Sequence, residues 1–597
     1  MKRLGRVLLS ILLIVPMLVG MAFLSPNLAL EATQTAQNGG GGANSLNSGI
    51  SGENDTDESD NAEREEVYIT PTYKTYEDYF TDLNITKETI TSKDYTGSGS
   101  IDNPFVVHST KGWLYLTNYD ISGISLVYRY VELASDIVLN EETFDKDGKV
   151  CGGDGVVYNW TDDYYSYMMR FDGKGHSIKG FCGIEFDTTI TADFTRNLFS
   201  YESVNYLKNL NMKNVYIDGG NCSAVTAFSY SCNSVSNCSV DGFVKSRNEY
   251  NTASMFVSVV EAENCVNYAD IYSTGGQVAG VFVKLSGTSS NIRRIINCDN
   301  YGNIYKYNDS YNGRVAGVSF LWYYVYAEGC DNYGKIYSEA GQVGGVVSWV
   351  SGTHLKNCSN YGEIDVNSKA QSGGVVGFVH WAYPTLVLDG CQNFGKLNGR
   401  YWEFGELIGY IRCLDENVTP VINVTLKNCY VKSVSGLRLI ATSRVKVLNI
   451  ENCKIDYVGN INNVTTVAFY YNPHRNSSIN ISNCEMNVYD KTISYIRICS
   501  DIYTESDVKI KNILINGSES VDFLPYGTVG EEYFDFLNGI VVCRGERSIY
   551  YGNDFSGFFV DFKTGKISLK RLGAKGFYQG KVTEEVLQNK GFSKRSL

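Results

Sequence analysis

Several features are missing from this chain of 597 residues, and each absence excludes something. No window of twelve or more residues in its repeated part carries a helical apolar period, which disfavours a leucine-rich horseshoe or an ankyrin-like array. The 16 cysteines include no C-x-x-C pair, the usual source of paired zinc ligands. The five histidines, His108, His176, His354, His380 and His474, lie far apart, and Ser-His-Asp, zinc and phosphate-loop patterns are absent. Positive charge is in deficit: 52 Lys and Arg against 65 Asp and Glu give a net charge of −13, which argues against nucleic acid as a partner. Beyond the first two dozen residues, no segment is apolar for long enough to span a bilayer.

What is present is a beat. Five segments begin alike: Asn264-Cys265-Val266-Asn267-Tyr268, Asn297-Cys298-Asp299-Asn300-Tyr301, Gly329-Cys330-Asp331-Asn332-Tyr333, Asn357-Cys358-Ser359-Asn360-Tyr361 and Gly390-Cys391-Gln392-Asn393-Phe394. Each continues to an aliphatic residue (Ile271, Ile304, Ile336, Ile364, Leu397) and then to a glycine-valine strand such as Val315-Ala316-Gly317-Val318. A looser Asn/Gly-Cys beat adds Cys238 before and Cys429, Cys453 and Cys484 after, with successive spacings of 27, 33, 32, 28, 33, 38, 24 and 31 residues. Short runs of Val, Ile, Tyr and Phe broken by Gly, Asn, Ser and Asp suit short strands and tight bends, and a fixed period of this size marks a solenoid.

Stacked coils place equivalent residues about 4.8 Å apart. An inward cysteine on every coil then builds a column of small apolar groups. Disulfides between adjacent rungs would pinch the stack, although a bridge elsewhere, between Cys222 and Cys232, stays open. The asparagines two places after each cysteine (Asn267, Asn300, Asn332, Asn360, Asn393) can hydrogen-bond along the axis as a ladder. The glycines two places further on (Gly302, Gly334, Gly362, Gly395) are expected to take a backbone angle that other residues resist.

The chain opens with Lys2, Arg3 and Arg6 and an apolar run over 7–24, so residues 1–30 read as a signal peptide or an N-terminal membrane anchor. Residues 31–66 read as a disordered linker; its part 53–66 carries eight carboxylates and one arginine, a net of −7. Residues 67–105 read as an N-terminal cap, 106–515 as the coils, and 516–597 as a C-terminal cap or a small β or α+β module. Within that module 558–569 suggests a hairpin and 583–591 a short helix. Residues 563–597 carry nine basic and two acidic residues, a net of +7, which suits an anionic envelope surface.

Three stretches, in order, make the chain specific: Gly97-Ser-Gly99 with Asn103-Pro104-Phe105, then Tyr130-Val-Glu-Leu-Ala-Ser-Asp136-Ile-Val-Leu, then Phe171-Asp172-Gly173-Lys-Gly175-His176-Ser-Ile178-Lys-Gly180. This series resembles the opening coils of exported bacterial right-handed parallel β-helix proteins, including those with GLUG-type repeats. The resemblance covers roughly residues 97–490. It departs at Ala279-Gly280, Gly344-Gly345 and Gly373-Gly374, which stand in place of the group's Gly-Leu-x-Gly. It implies an all-β, right-handed parallel β-helix of about a dozen coils, secreted or on the cell surface, of a group whose role is often unknown or adhesive, and a structural part for His176.

Lyases and hydrolases of acidic polysaccharides use this scaffold and need carboxylates at one phase on neighbouring coils. Three places after the ladder asparagines stand Asp270, Asn303, Lys335, Glu363 and Lys396; two places before the cysteines stand Glu263, Ile296, Glu328, Lys356 and Asp389. Both columns mix signs, so no catalytic residue, metal ligand or cofactor is assigned, and an enzyme remains the alternative reading. The functional hint is aromatic. Trp322, Tyr323 and Tyr324, then Trp349, then His380 and Trp381, follow the glycine-valine strands of three consecutive coils, with Trp402 in the next. An exposed stripe of such rings would bind a glycan or a host or cell-surface protein; the same rings could instead plug a bend between strands.

Overall fold

A computed structural model describes residues 67–160, 169–186, 195–199 and 204–220, then all but short loop segments up to 517, and five strands between 522 and 568. No side chain beyond residue 487 is described. The chain winds as a parallel β-helix. One coil shows the pattern: strands Ile304–Lys306, Arg314–Ala316, Ser319–Tyr323 and Val325–Glu328 each pair in parallel with Ile336–Ser338, Gln342–Gly344, Val347–Ser351 and Thr353–Lys356 of the next. The aliphatic residues after each motif stack in register, Ile271 on Ile304, Ile336, Ile364 and Leu397, all buried. Parallel strands joined by long connections demand both regular pairing and an interior lined from every side.

The nine cysteines of the beat lie in that interior, at most 2% exposed, and all are free thiols. Most donate back to the carbonyl two residues earlier, as Cys265 does to Glu263 (3.4 Å) and Cys298 to Ile296 (3.3 Å). No disulfide joins Cys222 and Cys232, both of them buried: a packed apolar site needs no crosslink.

The asparagine ladder forms inside. Nδ2 of Asn267, Asn300, Asn332 and Asn360 donates to Oδ1 of the next asparagine at 2.6, 2.8, 2.8 and 2.9 Å. The glycines that follow do not take unusual angles, contrary to expectation. They serve close approach: a Cβ on Gly334 would stand 2.0 Å from the Gly302 carbonyl oxygen, and one on Gly345 would stand 1.9 Å from that of Gly374 and 2.5 Å from Asn360 Cγ. Two glycine columns therefore wall the ladder on either side. The left-handed backbone sits one residue before each cysteine instead, at Asn237, Asn264, Asn297, Gly329, Asn357, Gly390, Asn428, Asn452 and Asn483. Only Asn and Gly occupy that position, as the conformation requires.

At the N-terminal side, Tyr76–Asp82 is a helix with a Thr75/Asp78 capping box. Thr110–Thr117, where the coils were expected to begin, is a second helix; its Trp113 packs edge-on against Phe171 (5.6 Å) and Phe199 (6.1 Å) and closes the apolar interior. The Phe171–Gly180 turn is built as the resemblance implies: Lys174 and Gly175 are left-handed, His176 N–H donates to the Gly173 carbonyl (2.8 Å), and His176 Nδ1 lies 3.4 Å from Asp136. Beyond the parallel rungs, Asp507–Gly517 pairs antiparallel with Arg547–Gly552, and Phe559–Asp561 with Lys566–Ser568. The expected helix at 583–591 lies outside the described residues, as do the leader and the acidic linker. No helix among the described residues is long and apolar enough to cross a membrane.

Candidate functional site

The aromatic stripe splits across the sheet. Register places Trp322 opposite Val350 and Val379, on the inward face, and Trp349 opposite Leu321 and Phe378, on the outward face. Counted from the stacked glycines Gly317 and Gly345, Trp322 is five residues on and Trp349 four; side chains alternate with period two, so one step changes the face. Trp322 is fully buried in the core and is removed from the candidate ligand-binding set. Trp381 and Trp402 lie outside the described residues. Tyr324 is half-buried at a left-handed turn position before Val325.

Tyr323, Trp349 and His380 do come together, in an outer apolar cluster separate from the core. The cluster forms because the coil bends inward at Gly317 and its equivalents, so that the outer faces of two successive strands meet. Ser348 Oγ spans the bend to the Gln342 carbonyl (2.9 Å), and a Cβ on Gly344 would strike the Val347 carbonyl at 1.9 Å. In this concave corner Trp349 contacts His380 (4.9 Å between centroids), Phe378 (5.5 Å) and Phe320 (6.2 Å). The Arg314 guanidinium lies over the Trp349 ring, 3.7 Å from its centroid. Burial, then the charges of Arg412 and Arg314, push the His380 imidazole down to about 4, so it is neutral at physiological pH. Trp349 Nε1 is buried without a hydrogen-bond partner among the described residues.

A second aromatic column was missed by sequence reasoning, although its residues belong to the repeat motif. Tyr268, Tyr301, Tyr333, Tyr361 and Phe394 stack face to face on five consecutive rungs, with centroids 5.2, 4.4, 4.7 and 5.0 Å apart. The four tyrosines are each between 40% and 53% exposed. Neighbouring rings cover one another's faces, so the column offers ring edges and hydroxyls to solvent. The signal was in plain view: an aromatic residue immediately after each ladder asparagine, which must point opposite to a buried neighbour.

Carboxylates also meet, at a phase other than the two considered from sequence. Asp299 and Asp331, each one place after its cysteine, lie on adjacent rungs beneath the tyrosines. Asp299 Oδ1 accepts from Asp331 N–H (3.0 Å), Asp331 Oδ1 from Ser359 N–H (2.7 Å), and the Tyr333 hydroxyl lies 3.4 Å from Asp331 Oδ2. Burial, then the neighbouring Asp299, raises Asp331 to about 6. The two columns of mixed sign pair across rungs instead, as Lys356 with Glu328 (2.7 Å) and Lys335 with Glu363 (3.3 Å). No group of three metal-ligating side chains occurs among the described residues.

No protein-family model matches the sequence, and no curated protein matches it. Among solved structures, the chain is similar to the crystal structure of a "putative immunoglobulin A1 protease" from Bacteroides ovatus, at 14% identity, over 59% of this chain and 79% of that one, with a TM-score of 0.26. A likeness of that size carries no functional argument.

Proposed function

We propose that this protein is an exported, non-catalytic β-helix that binds a linear glycan of the cell surface or surroundings along its axis, through the tyrosine column. One observation carries the reading: four tyrosines on consecutive rungs, each at least 40% exposed, form one continuous aromatic strip. Tyrosine supplies a large, rigid, amphipathic contact at low entropic cost. Rungs about 4.8 Å apart present one phenol hydroxyl per step, so a polymer with a similar repeat engages several at once and gains from their linkage. The basic leader with its apolar run supports export, and the acidic linker would hold the coils away from the envelope; the basic C-terminus suits contact with anionic wall polymer.

The test is a glycan array probed with the full chain and with Tyr301→Ser/Tyr333→Ser/Tyr361→Ser. Binding should fall to background in the variant, while Tyr333→Phe, which keeps the stack, weakens it only in part. Undiminished binding by the triple variant removes the column from the reading. A second reading, a lyase or hydrolase of acidic polysaccharide, is favoured by the Asp299–Asp331 pair beside the Tyr333 hydroxyl. Unsaturated or reducing-end products from uronate-rich polysaccharide, with or without calcium, would replace the first reading by the second.

A further inference from the structure

The concave corner holds positive charge that no carboxylate among the described residues balances. Arg314 Nε donates to Gln342 Oε1 (3.2 Å), and its guanidinium lies on Trp349 (3.7 Å) and against Phe320 (5.3 Å), yet no carboxylate among the described residues pairs with it. Burial pushes it down to about 10. Lys284 precedes Leu321 and Trp349 in the outward column; it too has no ion pair among the described residues, and burial lowers its ammonium. Arg412 adds exposed positive charge near His380. Elsewhere on this acidic chain, lysines of the rungs find partners, as Lys356 and Lys335 do.

The coil itself does not call for an arginine here. The residues in register with Arg314 are Gln277, Gln342 and Gln371, neutral amides that serve the same position, and Gln342 Nε2 donates to Gln371 Oε1 (2.9 Å). A largely buried cation without a counter-charge is unfavourable for the free protein. It becomes favourable when an anion completes it. We infer that this corner is a binding site for the carboxylate of an acidic sugar. The guanidinium fork, held flat on Trp349, receives the carboxylate with two parallel hydrogen bonds; Lys284 adds long-range attraction, and the glutamine amides meet sugar hydroxyls. The tyrosine column lies in the bend after the ladder asparagines and not on the strands of the corner, so this site stands whether or not the column binds a glycan.

Calorimetric titration of the full chain with oligogalacturonate, its methyl ester and polyglutamate tests the assignment. Oligogalacturonate should bind and weaken with salt; the ester, and oligogalacturonate with Arg314→Gln, should each bind about tenfold or more weakly. Equal binding of acid and ester, no binding of the acid, or unchanged binding by Arg314→Gln overturns the inference. Polyglutamate binding as tightly as the sugar acid overturns the carbohydrate assignment and makes the corner an acidic-peptide site. Ligand-free Arg314→Gln should unfold at the same temperature as the parent or higher; a clear fall would make the guanidinium a structural element and sink the proposal.

Discussion

A single backbone conformation explains which residue types the beat tolerates before its cysteines. The left-handed region there costs a branched residue about 1–2 kcal/mol, while Asn and Gly enter it readily. The asparagines at this exposed position also join hands: Asn264 Nδ2 donates to Asn237 (3.0 Å) and Asn297 Nδ2 to Asn264 (3.1 Å). Asn297→Val should therefore destabilise by about 2 kcal/mol, and Asn297→Gly, which keeps the conformation, by no more than about 1 kcal/mol, as read by denaturant midpoints. Equal losses would show that the hydrogen bonds and not the backbone angle choose the residue. The Asn/Gly alternation was legible in sequence, but the special angle was attached to the wrong glycine, because spacing alone does not distinguish a strained turn from a close approach. Asp331 offers a second test at this scale. Its folded value of about 6 lies above the ordinary carboxylate value of 3.8, so between those two pH values the folded chain holds a proton that the unfolded chain has released. Its contribution to stability is thus lost as pH rises through that window. Asp331→Asn keeps the acceptor for Ser359 N–H and should raise the midpoint at pH 7.5 but not at pH 4; a variant no more stable than the parent at pH 7.5 would refute the buried charge.

At the scale of the ladder, direction matters more than count. Every asparagine of the ladder donates toward the C-terminal side, so the series needs an acceptor at its end. Glu406, fully buried, supplies it: Asn393 Nδ2 donates to Glu406 Oε2 (2.7 Å), and Ser433 Oγ donates to Oε1. Five asparagines of this ladder were legible from the motif, whereas Glu406 was not: Gly373 pairs with Gly405, so Glu406 stands where the preceding coil has Gly374, a departure from the glycine column that only the register shows. The aromatic stripe shows the same limit. Its residues were visible, and so was the one-residue difference between Trp322 and Trp349, but the register was needed to show which of the two rings points inward. Asn332→Ala would orphan the Asn300 amide and the Asn360 carbonyl in a site closed to water, at about 1–3 kcal/mol for each buried group. The variant should unfold about 3 kcal/mol more easily in urea; a loss under about 1 kcal/mol would mean that water replaces the missing amide.

Across the stack, each coil touches its neighbours alone, so stability is a sum of coil and interface contributions and opening proceeds from an unprotected side. The N-terminal side of the coils is closed by Trp113 and its aromatic partners. Toward the C-terminal side the parallel pairing gives way to antiparallel strands after Asp507–Gly517. The buried thiols report this asymmetry, since the nine sulfurs share one chemical environment and differ mainly in their place along the axis. Pulsed alkylation of the native chain, read by mass spectrometry, should label Cys484 first and Cys453 next, with Cys330 and Cys358 modified only when the whole stack unfolds. Labelling of all nine at one rate would show that the coils open as a single cooperative block, and labelling of Cys330 before Cys484 would place the weakest interface in the middle, against the nearest-neighbour account.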